Sequence, residues 1–306
     1  MNGFWQGFGS KLADQWVATV LTPAFVFWGG GFIAWITHFG LSELNPLGTH
    51  FNQLPPILQV TLLIGCLLGI TISSIIIQLL DLTILRLLEG YWPHQLAWLS
   101  HRGVGLQSKS LDAAEERYQE LLNQKQDELS PEEEKELVSL DQKLRLAPSM
   151  DRMPTKLGNI LRAAENRPNE KYGLTTSVCW SRLWLLMPES VKNELTGARA
   201  NLDTAVRIFL WSILFLVWIV WAWWALIVMV LGAFWSYRWA LSAAMIYGDL
   251  LESAFDLHRF ALYDALGWPL PQSTKDEKSQ GIKLTEYLFR GLVDKPVIYK
   301  TFDRKK

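Results

Sequence analysis

Charge is absent from one long stretch of this chain. Between Arg207 and Arg238, the thirty residues Ile208–Tyr237 include no Asp, Glu, Lys or Arg, and six of them are tryptophan. Such a run excludes an ordinary soluble domain and points to an integral membrane protein. Cysteine is nearly absent as well. Cys66 and Cys179 are the only two, too few for a disulfide framework or a zinc site made of cysteine alone. Net charge is also missing, since 29 Lys and Arg face 30 Asp and Glu. That balance excludes a global nucleic-acid footprint.

Catalytic signatures are lacking too. The chain has no Gly-rich phosphate loop of the Walker type, no G-x-S-x-G elbow and no H-E-x-x-H helix. Its five histidines, at 38, 50, 94, 101 and 258, are not at metal-ligand spacing. No cofactor, metal or catalytic residue is therefore predicted. The basic n-region of a cleavable signal is missing, because Met1–Trp16 carries only Lys11 against Asp14. Phe4, Trp5, Phe8, Leu12 and Trp16 share one helical face and read as a lead-in to a retained first span.

What is present fixes a topology. Val17–Phe39 is long enough to cross a bilayer, with Pro23 as a bend and Gly29–Gly31 as a place of close helix approach. The loop Phe39–Leu54 has no Lys or Arg, so it faces away from the cytosol. Asn45-Pro46 and Leu47-Gly48 within it are turn material. A second span from Pro55 to Leu80 continues as helix to Glu89. The fifteen Lys and Arg from Arg102 to Arg199 place the next region in the cytosol.

In that region Gly103 and Gly105 read as helix breaks. Leu111–Leu129 and a helix capped by Ser130 and Glu133 form an antiparallel hairpin. A further helix starts near Thr155 and ends at Arg167-Pro168-Asn169. Thr175–Met187 is apolar but too short to span. Pro188 opens a helix that runs into the uncharged stretch. That stretch reads as a hairpin, with arms of about 203–218 and 225–247 and a turn at Trp221–Trp224; the alternative is a single tilted helix over 208–237 with the C-terminus outside. Arg238 is the residue that fits this worst. Last come an amphipathic helix, on which Arg259 neutralises Glu252 and Asp256, and a polar tail with a helix over Ile282–Leu292.

The strings Met153-Pro-Thr-Lys-Leu-Gly-Asn-Ile-Leu-Arg-Ala-Ala-Glu165, Lys171-Tyr-Gly-Leu174 and Cys179-Trp-Ser-Arg-Leu-Trp184 resemble a group of uncharacterised membrane proteins of actinobacteria and cyanobacteria. The likeness runs from about residue 110 to 290. It implies a bacterial inner-membrane setting and brings no activity or ligand. Ser181 stands where that group has proline, which puts the local turn in doubt.

The fold expected is all-α, with four transmembrane helices in two hairpins and a helical cytosolic domain inserted between them. The divisions are a first hairpin over 1–89, the helical domain over 90–202, a second hairpin over 203–250, and an amphipathic helix and tail over 251–306. Both termini are expected in the cytosol.

Three groups of side chains are candidates for function. Ser74, Gln78 and Asp81 form a polar stripe that would line a pathway or pack as a polar seam. Thr61, Gly65, Gly69 and Ser73, four apart, form a seam for helix packing. Asp249, Glu252 and Asp256 share a face, and His258 points away from them. The first functional expectation is an oligomeric channel or transport-like protein. The alternative is a membrane-anchored scaffold acting through its helical domain. The partners expected are the lipid bilayer, further copies of the chain and a cytosolic protein.

Overall fold

The computed structural model describes residues 20–124 and 130–291. The lead-in residues Phe4–Trp16 lie outside them. Among the described residues there are helices and no strands. In chain order these are α1 (Thr22–Phe39), α2 (Leu44–Gln53), α3 (Pro56–Leu79), α4 (Asp81–Glu89), α5 (Ala97–Asn123) and α6 (Pro131–Arg145). Then follow α7 (Lys156–Tyr172), α8 (Thr176–Leu186), α9 (Glu189–Leu214), α10 (Trp224–Ala265) and α11 (Thr274–Arg290).

Among the described residues, three segments are long and apolar enough to cross a membrane: Pro56–Leu79, Glu189–Val220 and Trp224–Ala265. A fourth exists if α1 and α2, bent by 108° at Gly40, count as one span. Asn45-Pro46 and Leu47-Gly48, expected as turn material, lie instead within helix α2. Pro46 falls in its first turn, where a missing N–H is harmless.

The helices form two compact units. One takes the described residues up to Leu85 together with Asn201–Ala240. The other takes Arg86–Ala200 and the described residues from Leu241 onward.

In the first unit, Phe27 packs on Trp211, Phe215 and Trp218, with ring centroids 5.0, 6.1 and 5.1 Å away. Glycine is required beside this cluster. A Cβ on Gly31 would lie 2.4 Å from the Trp218 ring. The uncharged stretch breaks as its tryptophans suggest. After α9 a 3-10 segment covers Phe215–Val220, and α10 begins at Trp224. A Cβ on Gly232 would lie 2.6 Å from Ser212 Oγ, and the Phe209 and Tyr237 rings are 6.3 Å apart. These pairs lie about equally far on either side of Ala222, so the two segments pack antiparallel. Arg238 is exposed and makes no ion pair among the described residues.

The second unit has a core of Leu183, Phe255, Leu262, Tyr263, Trp268 and Leu284, all essentially inaccessible to water. Its helical hairpin α5–α6 starts α6 with the expected capping box. Ser130 Oγ accepts from Glu133 N at 3.3 Å, and Glu133 Oε2 accepts from Ser130 N at 2.9 Å. Arg117 reaches Glu136, and Lys143 donates to Ser110 Oγ at 3.0 Å, so the two arms run antiparallel. Residues 125–129 lie outside the described residues.

Several expected boundaries are overturned. Gly103 and Gly105 do not break a helix; α5 runs through both. Gly103 serves a close approach, because a Cβ there would lie 2.8 Å from Pro154 Cβ. Pro168 does not end α7, which continues to Tyr172 and stops at Gly173 in the left-handed region. The apolar stretch Thr175–Met187, by contrast, is helical as expected, and Ser181 sits inside α8. α10 is one helix of 42 residues, with no division near Tyr247.

Candidate functional site

In the first unit the polar stripe of α3 goes three ways. Ser74 is fully buried and donates to the carbonyl of Val20 at 2.6 Å. Gln78 is exposed. Asp81 accepts from the Arg207 guanidinium, with Nε at 3.3 Å and a second contact from Nη2. The Arg207 and Asp81 side chains are 6% and 14% exposed. The forked, charge-assisted geometry strengthens the contact, while the cost of taking two charges out of water offsets much of that gain. The two residues are 126 positions apart, so no local pattern in the sequence could have joined them.

The small-residue seam is only partly used within one chain. Ser73 accepts from the Trp28 indole at 3.1 Å. Gly69 lines an apolar cleft of about 670 Å³ with Trp28, Phe32, Trp35, Cys66 and Trp218. The missing Cβ of Gly65 faces open space, and Thr61 is exposed.

In the second unit the acidic face of α10 is met by cations from other helices. Glu252, with its side chain 9% exposed, accepts from Lys171 Nζ at 2.5 Å, from Arg145 Nη2 at 3.3 Å and from Arg167. Burial works against its charge. The hydrogen bonds from Lys171 and Arg167 outweigh that burial and hold the carboxyl down at about 2. Asp256 accepts from Tyr172 Oη at 2.6 Å, and exposed Asp249 lies 3.6 Å from Arg145.

Arg259 does not neutralise these carboxylates as expected. Its Nε donates to Glu277 at 2.6 Å, and its guanidinium lies 4.3 Å from the Tyr172 ring centroid. Among the described residues, no three His, Cys, Asp or Glu are grouped to hold a metal ion. The cluster ties α6, α7 and α10 together and leaves little of Glu252 for a ligand.

No sequence pattern pointed to a role for Glu89. At the end of α4 its carbonyl accepts from Thr155 Oγ1 at 2.9 Å. Burial, and then the charge of Glu165, push its carboxyl up to about 7, against the pull of Arg199, Arg86 and Arg162. A raised carboxyl contributes stability at low pH, and this is lost as pH climbs from about 4.5 through about 7. The thermal midpoint of the protein should therefore fall across that window. Glu89→Gln should flatten the fall, and an unchanged slope in that variant would contradict the assignment.

No protein-family model matches the chain, and neither a curated protein nor a solved structure shows significant similarity to it.

Proposed function

We propose that this chain is a membrane-anchored scaffold, whose helical unit presents a surface to a protein partner in the cytosol. One observation carries the reading. The polar side chains best placed to line a pathway are satisfied inside the chain, Ser74 by Val20 and Asp81 by Arg207. The hairpin α5–α6, by contrast, projects exposed apolar side chains. Leu106, Leu122 and Val138 are 64%, 49% and 58% exposed. Isolated apolar side chains are ordinary at a surface, but on a two-helix arm they suit a helical partner.

The test is a photoreactive side chain in place of Val138, activated in intact cells. A discrete cross-linked protein of constant mass, lost in Leu122→Asp, is expected. Cross-links to lipid alone, or none, would contradict the reading.

The channel reading keeps one supporting observation. Gln78 of α3 is uncovered in a single chain, so copies packed through the face that carries it could enclose it.

For topology, we propose four crossings in a bacterial inner membrane with both termini inside. The charge bias and the antiparallel packing about Ala222 support this. Cysteines placed at exposed Ser42, Ser139 and Ser279 should label from outside only at position 42. Labelling at 279 from outside would mean three crossings.

A further inference from the structure

A second feature of the helical unit is left unused by the scaffold reading. Helices α7, α8 and α10, with the segment before α7, enclose a cleft of about 460 Å³. That is the size of a small-molecule site. We propose that it binds a small polyhydroxylated molecule of one or two sugar rings.

The lining differs in kind from the Glu252 cluster. There every carboxylate is held by a cation. Here Thr176 donates to the carbonyl of Glu165 at 2.6 Å, but four other polar side chains, three of them exposed, have no partner among the described residues. Asn166, Asn169, Ser177 and Ser181 line the cleft, and none makes a side-chain hydrogen bond among the described residues. Arg162 is held only loosely, its guanidinium 3.9 Å from Asp151. Its Nε is sealed from water with no acceptor. The side chain as a whole is 33% exposed, so other donors of its guanidinium can serve a ligand.

The charge balance argues for a neutral ligand. Arg162 lines the cleft with Asp151 and Glu165, and the positive charge of Arg199 acts on Glu165 as well. Neither a strong anion nor a strong cation is favoured. Amides, hydroxyls and a carboxyl supply the paired donors and acceptors that neighbouring hydroxyl groups need.

One wall is aromatic. Trp180 lines the cleft and stacks on Phe255, with centroids 5.9 Å apart and planes at 29°. That stack fixes the indole. An indole face is electron-rich, so it suits the weakly positive C–H face of a sugar ring.

The test uses the full chain in phosphatidylcholine nanodiscs, which avoids sugar-headed detergents. Saturation-transfer NMR and calorimetry would be run with maltose, sucrose, galactose, N-acetylglucosamine and myo-inositol, and with glutamate and inorganic phosphate as charged comparisons. At least one of the five neutral compounds should bind. Asn166→Ala and Ser177→Ala should each weaken it about three- to tenfold, the loss of one hydrogen bond. Ser139→Ala, on the hairpin, should leave binding unchanged. The proposal is overturned if none of the five binds, if binding is the same in both cleft variants, or if glutamate or phosphate binds in their place.

Discussion

Glu252→Ala is expected to destabilise the helical unit by roughly 3–5 kcal/mol, the range for breaking a buried ion pair from one side. The substitution removes a carboxylate with 9% side-chain exposure and leaves its cations facing one another. They do not count equally. Lys171 and Arg145 are 42% and 57% exposed, so water can take up their charges at little cost. Arg167 is 11% exposed and cannot shed its proton. It therefore accounts for most of the loss.

Glu252→Gln keeps the shape and some hydrogen bonds but lacks the charge, so it should fall between alanine and the native residue. The acid limb gives an independent check. A depressed carboxyl contributes stability above its ordinary pKa, and this is lost as pH falls from about 4.5 to about 2. Thermal unfolding followed by circular dichroism should show that limb in the native chain and a weaker one in Glu252→Ala. Equal acid limbs in the two would remove Glu252 from the account.

The second large effect is expected at Asp81 and Arg207, and it should be asymmetric. Asp81→Ala removes the forked carboxylate partner of a guanidinium that is 6% exposed at the edge of the uncharged stretch. It should cost about 3–5 kcal/mol. Arg207→Ala should cost less, since an isolated carboxyl can take up a proton and become neutral. The double substitution Asp81→Ala, Arg207→Ala should be milder than the sum of the two. Contacting charged residues couple by about 0.5–3 kcal/mol in such cycles. Unfolding midpoints in nanodiscs measure all three variants. Additive losses would mean that the two side chains act separately.

What the sequence shows and what it hides divide along physical lines. Local chemistry is legible. The Ser130–Glu133 box and the Thr155 cap start helices where their side chains satisfy free N–H groups. The tryptophan-rich break after Val220 also falls at the turn expected within the uncharged stretch. Glycine and proline mislead where tertiary packing overrides propensity. Gly103 is held in α5 because Pro154 presses on it. Pro168 is tolerated inside α7, although it lacks an N–H to donate. Long-range pairing is hidden altogether. The acidic face of α10 was visible as a pattern, but Arg145, Arg167 and Lys171 reach it from 81 or more residues away. The polar cleft is assembled from four separate parts of the chain, so no single motif announces it.

The most direct test of the scaffold reading is single-channel recording of the purified protein in planar bilayers. The account predicts no unitary conductance from the native chain. A discrete conductance that changes in Gln78→Leu would contradict it, and would assign the uncovered face of α3 to a pathway between copies.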